Sequence, residues 1–195
     1  ERAALLLGCE PSELAKHVGQ AVKKPVAPVV VPASQAPCQE QVFYADDPDF
    51  DLRKLLPAPT NTPIDAGPFF CLGLVLASDP EDSSLTDVTI HRLCVQERDE
   101  LSMFLAAGRH IEVFRKKAEE AGKPLPVTIN MGLDPAIYIG ACFEAPTTPF
   151  GYNELGVAGA LRQQPVELVQ GVAVKEKAIA RAEIIIEGEL LPGVC

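Results

Sequence analysis

Hydrophobic and polar residues alternate over the five positions that begin at Asp87. Val88 and Ile90 lie on one side of such a segment, and Thr89 and His91 share the other side with Asp87. Because successive side chains of a β-strand point to opposite faces of its sheet, the alternation predicts a strand with one apolar and one polar face. Other runs with strand-like composition are residues 25–32, 38–44, 69–77, 101–105, 126–131, 166–174 and 182–190.

Two stretches show the spacing of helices instead. Residues 109–121 place Ile111, Phe114 and Ala118 on one face, which is the pattern of a helix packed on a core. Residues 154–162 predict a second helix. Strands interleaved with such non-repeating helices, several of them in hairpin order, indicate an α+β fold with a closed or split β-barrel rather than a doubly wound sheet. The glycine motifs of dinucleotide and nucleoside-triphosphate sites are absent from the sequence.

Three side chains on three of these elements have the chemistry of metal ligands. Asp87, His110 and Glu154 offer two carboxylates and an imidazole, a set that suits Mn²⁺ or Mg²⁺. Arg92 lies close in sequence to Asp87, and Arg109 directly precedes His110, so these two arginines could hold a phosphate in bidentate fashion. Each residue also has a structural explanation, since a carboxylate is favoured at a helix start and an inward histidine is commonly a core residue. The residue pattern alone leaves both interpretations open.

The amino-acid composition limits the classes of protein to which the chain can belong. The 195 residues include 47% hydrophobic and 23% charged residues, and the net charge is −10. This balance is typical of a folded domain and argues against a nucleic-acid partner. Neither an apolar run of about 18 residues nor a signal peptide is recognisable, so no membrane partner is expected. Six cysteines without a CxxC pair are expected to be buried thiols of a cytoplasmic protein, namely Cys9, Cys38, Cys71, Cys94, Cys142 and Cys195.

Eight segments run in order through almost the whole chain and carry a family resemblance. They are 57–68 (PAPTNTPIDAGP), 87–92 (DVTIHR), 108–110 (GRH), 134–137 (DPAI), 144–149 (EAPTTP), 153–160 (NELGVAGA), 165–169 (PVELV) and 182–188 (AEIIIEG). In these segments the chain resembles the UbiD-like decarboxylases, which use prenylated FMN and a divalent metal. Within that family it is most similar to the hydroxybenzoate branch that acts on protocatechuate (3,4-dihydroxybenzoate).

The resemblance implies a domain organisation. The barrel is expected to be a split β-barrel of the FMN-binding type with flanking helices, formed by residues 45–195. Residues 1–44 would be the remnant of an N-terminal α/β domain. The C-terminal domain, which the family uses for oligomer contacts, is expected to be absent from this chain. The full-length protein would then be a homo-oligomer.

The resemblance also implies roles for individual residues. The family's metal ligands are Asn, His and Glu, and they fall on Asp87, His110 and Glu154, where Asp87 departs from the family's Asn. The ion is expected to be Mn²⁺, with K⁺ left open as a further ion. Arg92 matches the catalytic arginine that holds the substrate carboxylate. The cofactor-binding residues would be Ile90, His91, Arg92, Phe104, Leu105, Ala106, Arg109, His110 and Glu154.

The implied reaction is the non-oxidative decarboxylation of a hydroxybenzoic acid, with conversion of protocatechuate to catechol the first choice. Vanillate, gallate and 4-hydroxybenzoate stay open as substrates. A flavin prenyltransferase would supply the cofactor. The proton-donating acid of the family is expected beyond Cys195, so Glu183 and Glu187 are not assigned to that role and this chain alone is expected to lack a complete active site. Two alternatives remain, an FMN-binding split barrel of flavin-reductase type and a non-catalytic subunit.

Overall fold

The computed structural model describes residues 1–143 and 148–194, and two predicted features, most of segment 144–149 and Cys195, lie outside these ranges. The helices are α1 (Arg2–Leu6), α2 (Leu14–Lys23), α3 (Leu52–Leu55), α4 (His110–Glu120), α5 (Pro135–Gly140) and α6 (Glu154–Arg162). The strands are β1 (Val29–Val30), β2 (Phe69–Ser78), β3 (Thr86–Val95), β4 (Leu101–Met103), β5 (Leu125–Met131), β6 (Glu167–Gln170), β7 (Lys177–Ile179) and β8 (Ile184–Leu190). The fold is therefore α+β, as the sequence predicted.

The main sheet has five antiparallel strands in the order β4-β3-β2-β5-β8 and curls into a half-barrel. Its centre is the predicted hairpin of β2 and β3, in which Ala77 pairs with Asp87 and Gly73 pairs with His91. Beyond Gly73 the register shifts by a bulge that ends at Phe70. β4 pairs only with the last residues of β3. Among the described residues, no strand therefore pairs with the outer edge of β3 along its first half. The metal-ligand candidate Asp87 lies on that uncovered half.

Both faces of the hairpin are covered, which explains why β2 is almost continuously apolar. One face packs against α4, with Val75 and Ala77 of β2 against Ile111 and Phe114. The other face packs against α5 and α6 in a cluster that contains Leu74, Leu76, Val88, Ile137 and Leu155. Each fully buried side chain of this size contributes about 1.5–3 kcal/mol to folding. The two helix layers thereby bring the N-termini of α4 and α6 to β3.

A second sheet, in the order β1-β6-β7, is joined to the first through buried polar side chains. The Asn130 amide donates to the carbonyl oxygen of Leu74 at 3.1 Å and accepts from the N–H of Ile179 at 2.8 Å. The Thr128 hydroxyl donates to the carbonyl oxygen of Lys177 at 2.6 Å. Because β1 lies at the edge of its sheet, the prolines that flank it cost no ladder hydrogen bonds, as its sequence predicted.

Three local predictions were wrong. Residues 38–44 form no strand; the short helix Pro37–Gln39 replaces its start, and Phe43 is largely exposed. Residues 52–68 are rich in proline and threonine, a composition that predicts a connector, but the segment begins with the helix α3. The five described cysteines are free thiols, but only Cys94 is buried, whereas Cys71 and Cys142 are exposed.

None of the helices in residues 1–143 and 148–194 has the length and apolar composition of a membrane span.

Candidate metal centre

Asp87 is buried on β3, and its carboxylate is fixed by the helix next to it. Its Oδ2 atom accepts a hydrogen bond of 2.8 Å from the backbone N–H of Ile111, in the first turn of α4. The first amides of a helix have no partner within the helix, so a carboxylate at this point satisfies one of them and benefits from the helix dipole. Burial raises the pKa of the Asp87 carboxyl, against the opposing effects of the Ile111 N–H and the nearby His110.

His110 is the first residue of α4 and is buried, as the predicted inward position required. Its Nδ1 atom lies 3.9 Å from Oδ1 of Asp87, the oxygen that does not bind Ile111. On another side, the imidazole meets the Phe150 ring edge to face, with 5.3 Å between the ring centroids. The imidazole therefore lies between a carboxylate and an aromatic ring.

Glu154 is the first residue of α6, and its side chain is completely buried. Asn153, a residue type favoured at the N-cap, caps this helix by accepting from the N–H of Gly156 at 3.2 Å. Both carboxylate oxygens of Glu154 lack a hydrogen-bond partner among the described residues. Burial raises the pKa of Glu154 to about 8, and the charge of Asp87 acts in the same direction. An isolated buried carboxylate of this kind is costly unless something compensates its charge.

The three side chains converge. One ligand atom from each of Asp87, His110 and Glu154 lies within 4.8 Å of the other two, and all three residues are buried. Two carboxylate oxygens and an imidazole nitrogen are the donors that Mn²⁺ or Mg²⁺ accepts. A divalent cation would also compensate the charge of the partnerless Glu154. The donor set and the orphaned carboxylate therefore fit a metal ion.

The other predicted site residues differ in how they are placed relative to this cluster. His91 shares the Asp87 face of β3, and its Nε2 atom is buried without a hydrogen-bond partner in the described ranges. Burial, followed by the positive charge of Arg109, lowers the pKa of His91. Arg109 is the N-cap residue of α4, directly before His110. The positive charge of Arg109 thus acts on both Asp87 and His91.

The structure does not place every predicted residue at the cluster. Arg92 lies on the opposite face of β3 from Asp87, is exposed, and holds its guanidinium carbon 5.6 Å from the centroid of the Phe69 ring. Ile90 shares that face and packs on the cluster of α5 and α6. Phe104 follows β4 and is 82% exposed. Leu105 and Ala106 follow it and are half-buried.

The contact between Phe150 and His110 was not predicted from the sequence. The only sequence signal for it is an aromatic residue four positions before Glu154. A cleft of about 620 Å³ between residues 37–45 and β8 was also not predicted, and none of the three ligand candidates lines it. Glu187 borders this cleft, but its carboxylate accepts from the N–H groups of Val172, Ala173 and Val174 at 2.8, 2.6 and 3.1 Å.

Comparison with known proteins gives consistent matches. Residues 29–195 match the UbiD family model, described as the 3-octaprenyl-4-hydroxybenzoate carboxy-lyase Rift-related domain. The chain is 54% identical over 180 residues to a gallate decarboxylase of Lactiplantibacillus plantarum, a match that covers 92% of this chain and 36% of that protein.

Comparison with solved structures gives matches that agree with these sequence matches. The apo 3,4-dihydroxybenzoic acid decarboxylase from Enterobacter cloacae is 97% identical, with a TM-score of 0.93, and the match covers 100% of this chain and 40% of that one. An evolved dimeric form of the UbiD-class enzyme HmfF from Pelotomaculum thermopropionicum, in complex with prFMN, is 36% identical with a TM-score of 0.91, over 100% of this chain and 44% of that one. The chain thus spans well under half the length of each of these proteins.

Proposed function

The chain belongs to the UbiD family of carboxy-lyases, and we propose that it forms the part of a hydroxybenzoate decarboxylase that binds a divalent metal and prenylated FMN. The observation that carries the proposal is the convergence of Asp87, His110 and Glu154 within 4.8 Å. It is supported by the relatives, which act on gallate and 3,4-dihydroxybenzoate, and by a neighbour that contains prFMN. Protocatechuate, with catechol as the product, is the substrate that we propose.

The geometry supports the proposed metal ligands. Asp87 would offer Oδ1, because Oδ2 is engaged by the N–H of Ile111. His110 would offer a ring nitrogen, and Glu154 would offer a carboxylate that has no partner among the described residues. We propose Mn²⁺ as the ion, because the second carboxylate contributed by Asp87 adds negative charge to the set. A role for K⁺ stays a prediction.

The anionic end of the cofactor has a matching environment. Arg109 is the N-cap residue of α4, and the N-terminus of an 11-residue helix carries the positive end of its dipole. A phosphate held there by Arg109 would lie beside His110, the next residue. His91, whose buried Nε2 has no hydrogen-bond partner within residues 1–143 and 148–194, lies near Arg109 and would complete this side of the site. Ile90, Phe104, Leu105 and Ala106 would supply the apolar contacts to the cofactor.

Arg92 is assigned to the substrate. Its guanidinium is exposed and lies over the Phe69 ring, so it can bind a carboxylate without breaking a buried ion pair. A guanidinium binds a carboxylate through two parallel hydrogen bonds, which would orient the acid group for loss of CO₂. Prenylated FMN, when bound, supplies the electrophile and electron sink for this reaction. The proton donor is not assigned to a residue of this chain.

The assignment of the sheet to a split barrel, and of the chain to two domains, is part of the same proposal. We propose that the curled five-stranded sheet is half of an FMN-binding split barrel that comprises residues 45–195, and that residues 1–44 derive from a preceding α/β domain. Assembly into a homo-oligomer, and delivery of the cofactor by a flavin prenyltransferase, are part of the proposed function of the whole protein.

Metal and flavin analysis tests the binding role directly. The chain is produced together with a flavin prenyltransferase, and its absorption spectrum and manganese content are measured. We expect bound flavin and about one Mn²⁺ per chain, with the metal lost in His110→Ala and Glu154→Gln. His17→Ala is the matched histidine control, because His17 lies on α2 and is not among the three ligand candidates. Retention of Mn²⁺ by both ligand variants would contradict the proposal.

Decarboxylation is tested in a polypeptide that carries this chain within the full length of its relatives. We expect release of CO₂ and catechol from protocatechuate, with gallate, vanillate and 4-hydroxybenzoate compared at equal concentration. Reduction of the flavin by a nicotinamide, without release of CO₂ from any of these acids, would indicate a reductase-type flavin module instead.

A further inference from the structure

The Phe150 ring contacts two aromatic side chains of α4. Its centroid lies 5.3 Å from that of the His110 imidazole, with 81° between the ring planes, and 5.7 Å from that of Phe114, with 77° between the planes. Edge-to-face pairs prefer centroid separations of about 4.5–7 Å, so both contacts have a favourable geometry. His110 and Phe114 are one helical turn apart on the same face of α4.

A third residue of α4 holds the same ring. The ammonium nitrogen of Lys117 lies 5.9 Å from the Phe150 centroid, within the range of cation–π interactions. Lys117 is itself fixed by Asp79 at 2.7 Å and by Glu81 at 2.9 Å. The Asp79 side chain is completely buried, so the position of Lys117 is set by the turn between β2 and β3.

The backbone after Phe150 is also constrained. Gly151 has a φ of +83°, and a Cβ atom there would come within 2.8 Å of Leu85 Cδ2. A glycine is therefore needed for the chain to turn against the β2–β3 connection at this point. Three residues later Glu154 begins α6. The segment that contains Phe150 thus leads into α6, which begins with the proposed metal ligand Glu154. Its Phe150 ring contacts α4, the helix that carries the proposed ligand His110.

We infer that Phe150 is a positioning residue of the metal centre, which holds the His110 imidazole so that a ring nitrogen faces Asp87 and Glu154. Torsion about the bond between Cβ and the imidazole ring is soft and has no sharp minima, so the orientation of the imidazole must come from its contacts. The metal role in this inference rests on the proposed function. The ring contact itself does not, and it can be tested without metal.

The metal-free test is an NMR measurement on the wild-type chain in EDTA. We expect nuclear Overhauser effects between the aromatic protons of Phe150 and the imidazole protons of His110. The same effects should persist in Phe150→Tyr, because tyrosine keeps the ring and Phe150 is 45% exposed. Absence of these effects in the folded wild-type chain would overturn the inference, whatever the metal result.

The metal test compares Mn²⁺ affinities by electron paramagnetic resonance titration. Phe150→Leu keeps an apolar side chain and removes the ring, and we expect it to bind Mn²⁺ about threefold to tenfold more weakly. Phe150→Tyr should stay within about twofold of the wild type. Phe43→Leu is the matched control, since Phe43 is also exposed and lines the cleft between residues 37–45 and β8, which contains none of the ligand candidates.

The outcomes separate the two proposals. Equal Mn²⁺ affinity of Phe150→Leu and the wild type would show that Phe150 does not position the ligand. Weak binding by Phe150→Leu that Phe150→Tyr restores would support a role of the ring and not of bulk alone. Failure of the wild-type chain to bind Mn²⁺ would contradict the proposed function, while the NMR measurement would still decide whether Phe150 holds His110.

Discussion

The carboxylate of Asp87 accepts a hydrogen bond of 2.8 Å from the backbone N–H of Ile111. This bond joins the first half of β3 to the first turn of α4, and the two carboxylate oxygens have different roles. Oδ2 fixes the helix, while Oδ1 lies 3.9 Å from Nδ1 of His110. A strand residue and a helix residue are thereby held in the arrangement that a shared cation needs.

The first prediction concerns this bond. Asp87→Asn keeps an oxygen acceptor for the Ile111 N–H, whereas Asp87→Ala leaves that buried donor without a partner. We expect Asp87→Ala to be less stable than Asp87→Asn by about 1–3 kcal/mol. Urea denaturation of both variants at pH 7 in EDTA measures the difference. Identical free energies of unfolding would show that the bond contributes nothing to the fold.

The second prediction is a pH dependence of stability in the absence of metal. The pKa of Glu154 is about 8 in the folded chain, against an ordinary value of 4.5. Between these values the folded chain holds a proton that the unfolded chain has lost, so its free energy of unfolding falls as the pH rises and levels off above pH 8. We expect a loss of about 1–4 kcal/mol between pH 5 and pH 8.

Urea denaturation at pH 5, 6, 7 and 8 in EDTA measures this loss. Glu154→Gln should show a smaller slope, because it cannot titrate at this position. Glu189→Gln, an exposed glutamate of β8, should keep the wild-type slope. Saturating Mn²⁺ should also reduce the slope in the wild-type chain, because the cation replaces the proton. Parallel curves for the wild type and Glu154→Gln would contradict the assignment.

The third prediction assigns Glu187 to the fold rather than to proton transfer. Its carboxylate accepts three backbone hydrogen bonds from the connection between β6 and β7. We expect Glu187→Ala to lower the free energy of unfolding by about 1–3 kcal/mol while Mn²⁺ affinity stays unchanged. Glu189→Gln on the same strand is the control for stability. A variant that keeps full stability, or that loses Mn²⁺ binding, would refute this role.

The fourth prediction separates Arg92 from the metal site. Arg92→Lys keeps the charge but loses the planar fork that binds a carboxylate bidentately, so kcat/KM for protocatechuate should fall at least about tenfold in the full-length context. Manganese content should be unchanged, because Arg92 lies on the opposite face of β3 from Asp87. Steady-state assays and metal analysis on the same preparation test both statements. Concurrent loss of metal would place Arg92 at the ligand cluster instead.

Much of the local structure could be predicted from short-range signals. Asn153 caps α6 and Asp134 caps α5 with Pro135 at its first position, because a cap needs only a side-chain oxygen and the N–H two or three residues on. The inward face of α4 and the β2–β3 hairpin followed from periodicity. The segment 38–44 shows the limit, since its residues have strand-like types but find no partner strand to pair with.

The positions of most helices and strands, the faces that they bury and the side chains with metal-ligand chemistry can all be predicted from the amino-acid sequence. The folded chain was needed to show that Asp87, His110 and Glu154 meet, that Phe150 contacts His110, and that Cys71 and Cys142 are exposed. This difference arises from the range of the interactions. Caps and periodicity act within a few residues, whereas convergence depends on how α4 and α6 pack on the sheet, which is set by burial of the whole core.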